Sequence, residues 1–235
     1  MSRRRVVLAD WDNTLCKGFT LSSWAEFLAA RHLFGAVLAV RDLLDRFKHG
    51  SFSYEEFCRR MADAYAEGLA GQSREELLAA AASFIRVDNS RLFPFVSALW
   101  AYFNEQNLKV IVLTGAPEEP TKHYADAVGF ELGGALRLEV KSGFYTGAII
   151  ENCGLYDAKK AAVRRVAQDD NVVIALGDSV SDLPLLESAH VGFVVLGAAH
   201  KSVPSGPNLL AFDANQEPSA VAQLVKRRVA EVEDA

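Results

Sequence analysis

Val6-Val7-Leu8-Ala9-Asp10-Trp11-Asp12-Asn13-Thr14 is the stretch on which the fold turns. Four apolar residues run straight into two carboxylates, an amide and a hydroxyl. A short apolar run without alternation fits a strand buried on both faces, as in a parallel sheet covered by helices. The same form recurs at Val110-Ile111-Val112-Leu113, which ends in Thr114-Gly115-Ala116, and at Val172-Val173-Ile174-Ala175-Leu176, which ends in Gly177-Asp178-Ser179-Val180-Ser181-Asp182. Val191-Gly192-Phe193-Val194-Val195 is a further such run. Helical patterns at about 93–106, 118–128, 158–168, 180–188 and 217–230 separate them. The alternation predicts an α/β fold, a doubly wound and mostly parallel sheet with right-handed crossovers.

Two intervals break the rhythm. Between about 16 and 90 there is no good strand and four helix-length patterns, at 20–34, 36–48, 53–68 and 73–85. Ser53 followed by Glu56, and Ser73 followed by Glu76, are the capping signature that opens two of them. We read residues 1–15 and 91–235 as an α/β core and 16–90 as an inserted small helical domain. The second interval, Leu136–Val140 and Tyr145–Ile149 around Lys141-Ser142-Gly143-Phe144, reads as a β-hairpin. Pro204-Ser205-Gly206-Pro207 is a turn.

Composition narrows the function classes. The chain has 235 residues, half of them apolar, with 25 Lys and Arg against 30 Asp and Glu. A net charge of −5 removes the broad electrostatic drive toward nucleic acid or an anionic membrane. Arg3-Arg4-Arg5 and Lys226-Arg227-Arg228 are too short to reverse it. The start lacks the apolar stretch of about 7–15 residues that a secretory signal needs. Three cysteines in no metal spacing suit reduced thiols. The expectation is a cytoplasmic protein with neither nucleic-acid nor membrane partners; nothing in the sequence sets its oligomeric state.

The polar clusters all fall at the carboxyl ends of predicted strands, or, with Asp157-Ala158-Lys159-Lys160, at the opening of a helix. In an open α/β sheet that edge is where ligands bind. Residues about 170 positions apart can therefore meet. Clustered carboxylates oppose one another's ionisation. A bound Mg²⁺ removes the conflict, since it takes hard oxygen ligands and shares its shell with substrate phosphate. One carboxylate can attack phosphorus, another can handle the leaving-group proton, and a threonine, backbone N–H groups and a lysine can bind phosphoryl oxygens. The set suits phosphoryl transfer.

Asp10-x-Asp12-x-Thr14, Thr114-Gly115, a lysine near 159 and Gly177-Asp178-x-x-x-Asp182 resemble the four ordered motifs of the haloacid dehalogenase superfamily. The helical insert is similar to the small cap of its phosphoserine phosphatase-like branch, on a Rossmann-like core. The resemblance implies Asp10 as nucleophile and Mg²⁺ ligand. It implies Asp12 as general acid/base with its backbone carbonyl on the metal, and Asp178 as a further ligand. Thr114, the Gly115 N–H and a lysine would bind phosphate, with Thr14 and Asp182 in support. Val163, four positions on, selects Lys159 as that lysine, with Lys160 the second choice.

The implied activity is Mg²⁺-dependent hydrolysis of a small-molecule phosphate monoester through an aspartyl-phosphate. Transfer to another acceptor, by a phosphotransferase or phosphomutase, stays open. So do a catalytically silent binding protein and a phospho-receiver, although a receiver carries its phosphoacceptor aspartate on a middle strand, where this chain has Thr114. True dehalogenases lack the second aspartate. Phosphoserine-specific relatives carry a glutamate nine residues after the nucleophile, where this chain has Phe19, and a cap arginine where it has Met61. Phosphoserine is therefore not the expected substrate. Phe19, Trp24 and Met61 are the candidates for specificity, although Trp24, with Phe27, Leu28 and Phe34 at helical spacing, also reads as cap core.

Overall fold

A computed structural model describes residues 4–88, 91–197, 206 and 208–233. Arg3 and, of the turn at 204–207, Pro204, Ser205 and Pro207 lie outside the described residues. The sheet forms around β1 (Arg5–Ala9), flanked by β2 (Lys109–Pro117) and β5 (Asn171–Gly177). Beyond them lie β3 (Glu131–Lys141) and β4 (Phe144–Asn152) on one side, and β6 (Val191–Leu196) and β7 (Leu209–Asp213) on the other. The order is β4-β3-β2-β1-β5-β6-β7, parallel throughout except for the antiparallel β3–β4 pair. This is the expected doubly wound α/β sheet.

Alternation along β1 splits the core in two. Val7 and Ala9 join the larger apolar cluster, while Val6 and Leu8 join the smaller one. The smaller is covered by α7 (Tyr156–Val166) and α8 (Leu183–Leu186). Helices α5 (Phe95–Glu105), α6 (Glu118–Val128) and α9 (Pro218–Glu233) pack on the larger.

Four helices stand between β1 and α5: α1 (Thr20–Ala29), α2 (Val37–Lys48), α3 (Tyr54–Leu69) and α4 (Arg74–Asp88). Ser53 and Ser73 accept the N–H groups of Glu56 and Glu76 at 3.2 and 3.4 Å, as their spacing predicts. Buried residues of these helices, among them Trp24, Tyr65 and Phe84, share one continuous apolar cluster with Val7 and Val112 of the sheet. The turn before α4 is hydrogen-bonded to the hairpin: Gly71 N–H to Tyr145 O, Tyr145 N–H to Gln72 O, and Arg74 N–H to Gly143 O.

Several boundaries differ from expectation. The helix at 20–34 stops at Ala29, and His32 follows with φ of 59°. The stretch 180–188 is a 3-10 turn over Val180–Asp182 and the short α8, with a proline in its first turn. β3 starts at Glu131 and pairs with β2, and β7 is an additional strand. The hairpin turns on Ser142 and Gly143, both at positive φ. No helix among the described residues is long and apolar enough to cross a membrane.

Candidate active site

β1 delivers Asp10 to the edge of the sheet, and the Asp10 N–H donates to Leu176 O of β5 at 3.0 Å. The chain then turns sharply. Asn13 takes φ of 59°, a conformation its short amide side chain tolerates, and its Oδ1 accepts the Gly18 N–H. Trp11 points to the opposite side and is fully buried against Tyr124 and Phe130. Asp10 and Asp12 thereby face one crevice, while Thr14 donates to Asp178 Oδ1 at 3.1 Å, joining the ends of β1 and β5.

Lys159, in the first turn of α7, is buried and places Nζ 3.0 Å from Asp10 Oδ1 and 2.5 Å from Asp182 Oδ1. Lys160 is exposed and lies against the Tyr156 ring. Asp182 folds back over Gly177, where a Cβ would sit 2.5 Å from the Asp182 Cβ. Its Oδ2 accepts the N–H groups of Asp178 and Ser179 and the Ser179 hydroxyl. Asp178 and Asp182 are thus tied into the crevice, beyond simple helix capping.

Burial raises the Asp10 carboxyl well above the usual range, Lys159 opposes the shift, and Asp182 and Asp178 add to it. Asp182 goes the other way. Burial would raise it, but Lys159 and the Ser179 donors hold it below its ordinary value. Lys159 is desolvated too, yet its two carboxylate neighbours keep it charged. Burial pushes Asp12 up to about 6, against the pull of Arg91 and of Thr20. Thr20 donates its N–H and its hydroxyl to the Asp12 carboxylate.

Oxygens of Asp10, Asp178 and Asp182 come within 4.8 Å of one another, all three buried. One ammonium cannot neutralise three carboxylates. An all-oxygen, electron-rich cluster in a dry site is the donor set a hard divalent cation takes. The residues present therefore fit Mg²⁺. The Asp12 carboxylate stands outside this trio, turned toward Thr20.

A chamber of about 40 Å³ adjoins Asp10, lined also by Asp12, Thr114, Gly115 and Lys159. Thr114 Oγ1 accepts the Ala116 N–H at 3.0 Å, which fixes the hydroxyl and leaves it a proton to donate. Asn152, the last residue of β4, and Gly154, in the link to α7, also line it. The missed signal is the small, polar turn Asn152-Cys153-Gly154 directly before the lysine helix. Tyr54 and Cys58, from α3, were missed as well.

Phe19, Leu21 and Met61 line the chamber, but Trp24 does not. That candidate is corrected. The Trp24 ring is fully buried against Phe27 and Phe84, with its Nε1 donating to Tyr65 Oη at 2.9 Å, so it belongs to the interior of the helical layer.

Residues 7–187 match the profile of the haloacid dehalogenase-like hydrolases. A phosphoserine phosphatase of Halobacterium salinarum is 29% identical over 189 residues, which cover 78% of this chain and 82% of that protein. A Bordetella pertussis protein of unknown function has a similar structure, with a TM-score of 0.64 at 25% identity over 83% of this chain and 91% of its own. The unliganded structure of a probable phosphoserine phosphatase from Vibrio cholerae shares the fold, with a TM-score of 0.60 at 15% identity. It covers 99% of this chain and 67% of its own.

Proposed function

The chain belongs to the haloacid dehalogenase-like hydrolase family, and from that premise we propose that it is a Mg²⁺-dependent phosphatase of a small phosphate monoester. One observation carries the reading: Asp10 is buried at a strand end, paired with Lys159 at 3.0 Å, with oxygens of Asp178 and Asp182 within 4.8 Å. That cluster suits a carboxylate nucleophile held beside a divalent cation. Residues 1–15 and 91–235 form the catalytic core in this reading, and 16–90 the cap.

A carboxylate oxygen of Asp10 attacks phosphorus, the bond to the leaving oxygen breaks, and Asp12 gives that oxygen its proton. An aspartyl-phosphate on Asp10 results. Asp12, now a carboxylate, takes a proton from water as it attacks phosphorus, which releases inorganic phosphate and restores Asp10. Thr114, the Gly115 N–H and Lys159 hold the phosphoryl oxygens. Asp10, Asp178 and the Asp12 carbonyl would hold Mg²⁺, with Asp182 in support. When bound, the ion supplies positive charge that offsets the carboxylates and the transferring phosphoryl group.

Phosphoserine is a poor fit. Phe19 and Met61 present apolar surface where an amino-acid head group needs polar anchors. The neighbouring Arg59 and Arg60 are exposed and paired with Glu55 and Glu56 on the outer face of α3. A small-molecule ester, free of nucleic acid or membrane and in the cytoplasm, is the substrate we envisage.

The test is phosphate release from a panel of phosphomonoesters that includes phosphoserine, with and without Mg²⁺. Asp10→Asn should abolish release. Full turnover by that variant would overturn the covalent route, and chelator-resistant activity would overturn the metal role.

A further inference from the structure

Beside the chamber lies a second cavity of about 950 Å³, which shares Phe19 and Tyr54 with it. Nothing in the chemistry above uses this space, and a phosphoryl group fills only a small part of it. It runs between the cap helices and the loops at the carboxyl edge of the sheet, so a leaving group attached to the phosphoryl would extend into it.

Beside neutral polar residues such as Ser22, Ser53 and Asn215, two kinds of side chain in its walls bear on the ligand. Phe47, Phe52 and Phe93 supply ring surface, and Phe47 is held by stacking on Phe57 at 4.2 Å between centroids. Lys17, Lys48 and Arg91 supply positive charge. No Asp or Glu lines the cavity among the described residues.

Arg91 is already engaged, since it pairs with Asp88 at 2.9 Å and donates to the Lys17 carbonyl at 2.7 Å. Lys17 and Lys48 are exposed, and neither pairs with a carboxylate among the described residues; the Lys17 Nζ lies 5.7 Å from the Phe93 ring centre. A cavity with cations and no anion repels an ammonium group and attracts a carboxylate or a second phosphate. Its rings favour a flat or extended apolar body.

On the phosphatase reading, we propose that the alcohol released is anionic and carries a ring or extended apolar body. Lys17 and Lys48 receive its negative charge, while Phe47 and Phe93 flank the body between that charge and the phosphoryl group. A small zwitterion such as phosphoserine would be disfavoured on the same grounds: its ammonium group meets cations, and it leaves most of the cavity to water.

The experiment compares three benzyl phosphonates binding to the Mg²⁺-loaded protein by calorimetry, with para-carboxyl, para-methyl and para-trimethylammonio substituents. The same three benzyl phosphates are assayed for phosphate release. The methylene insulates the leaving oxygen from the substituent, so the series varies remote charge at nearly constant chemistry. The carboxyl compound should bind about tenfold more tightly than the methyl compound, and the ammonio compound more weakly than either. In the Lys17→Ala/Lys48→Ala double variant that ratio should fall toward one, and Lys17→Arg/Lys48→Arg should restore it. The ratio is read within each protein, so partial loss of folded material cancels. Equal affinity of the three phosphonates, or a ratio that survives the double alanine variant, overturns the proposal. Charge-dependent phosphonate binding without phosphate release from any ester would instead overturn the phosphatase reading, and with it the released alcohol, leaving only the cavity's preference for an anionic group.

Discussion

Thr20 holds the carboxylate of Asp12 with two donors at once, its backbone N–H at 2.9 and 3.0 Å from the two carboxylate oxygens and its hydroxyl at 2.5 Å from Oδ1. The same hydroxyl accepts the buried Nε1–H of Trp11 at 3.1 Å. The first residue of α1 therefore aims the side chain proposed to move the proton. Thr20→Val keeps the branched shape and removes the hydroxyl. With the leaving oxygen less well protonated, kcat for alkyl phosphates should fall about tenfold or more, the lower range of a general-acid contribution. Aryl phosphates, whose leaving groups need less help, should lose less. The stranded Trp11 donor should also lower stability by about 1–3 kcal/mol. Equal loss on alkyl and aryl esters would sink the positioning role.

Gly115 and Gly154 meet backbone to backbone. A Cβ on Gly115 would lie 2.8 Å from Gly154 Cα and 3.2 Å from its N, and neither neighbour is a side chain that can swing aside. Gly115→Ala must push the end of β2 away from the turn that precedes α7. The Gly115 N–H and Thr114 move with it, so both proposed phosphate contacts are displaced. A shift of about 1 Å at reacting groups costs on the order of 100-fold. We expect kcat/KM to drop by about that factor while the protein remains folded, as seen by circular dichroism. Wild-type kcat/KM in this variant would show that the contact is not needed.

Much of this site is legible from residues alone because its parts end uninterrupted apolar runs. Val6–Ala9, Val110–Leu113 and Val172–Leu176 are buried on both faces, so their patterns are strong and their polar ends stand out. The start of β3 was hidden for the opposite reason. Glu131-Leu132-Gly133-Gly134-Ala135 is glycine-rich, yet a Cβ at Gly133 would strike Ile111, and one at Gly134 would strike Cys153. Close approach demands glycine there, at the expense of a strand-like sequence. Thr20 was hidden because its role comes from where α1 enters, a tertiary fact. For Trp24 the spacing leaves pocket wall and cap core both open, because it shows that a ring is buried but not which neighbour it meets; contact with Phe27 and Phe84 puts it in the cap core.

Glu119 predicts a pH dependence of stability. It is buried at the start of α6, where it accepts the hydroxyls of Tyr65 from the cap and Tyr145 from the hairpin, at 3.1 and 2.6 Å. Burial raises its carboxyl above the ordinary 4.5, and the tyrosine donors oppose this only in part. A carboxyl raised in the folded state favours folding while protonated in both states. That contribution is present below about 4.5 and lost as pH climbs through the folded value. Glu119→Gln cannot titrate. The Tm of Glu119→Gln minus that of the wild type should therefore increase with pH from about 4.5 upward, whatever its sign at the acid end. A difference that is flat or falls over that range would show that Glu119 is not held in this way.

Phe19 tests whether apolar shape sets selectivity. It precedes α1 and lines both cavities, half-buried, with its ring edge-on to Phe57 at 5.2 Å and Phe47 at 6.1 Å between centroids. It occupies the position where phosphoserine-specific relatives are expected to carry a carboxylate. Phe19→Ala widens the passage from chamber to cleft without touching Asp10, Asp178 or Lys159. Apolar walls discriminate by about 1–3 kcal/mol per methylene, so removing one should change the kcat/KM ratio of bulky to small esters by about tenfold or more. The Mg²⁺ requirement should persist, since no proposed ligand moves. Some stability will be lost with the ring contacts, which is why the ratio between esters is the measurement. If both esters decline by the same factor, Phe19 is simply part of the packed interior of the cap, and selectivity must arise deeper in the cleft.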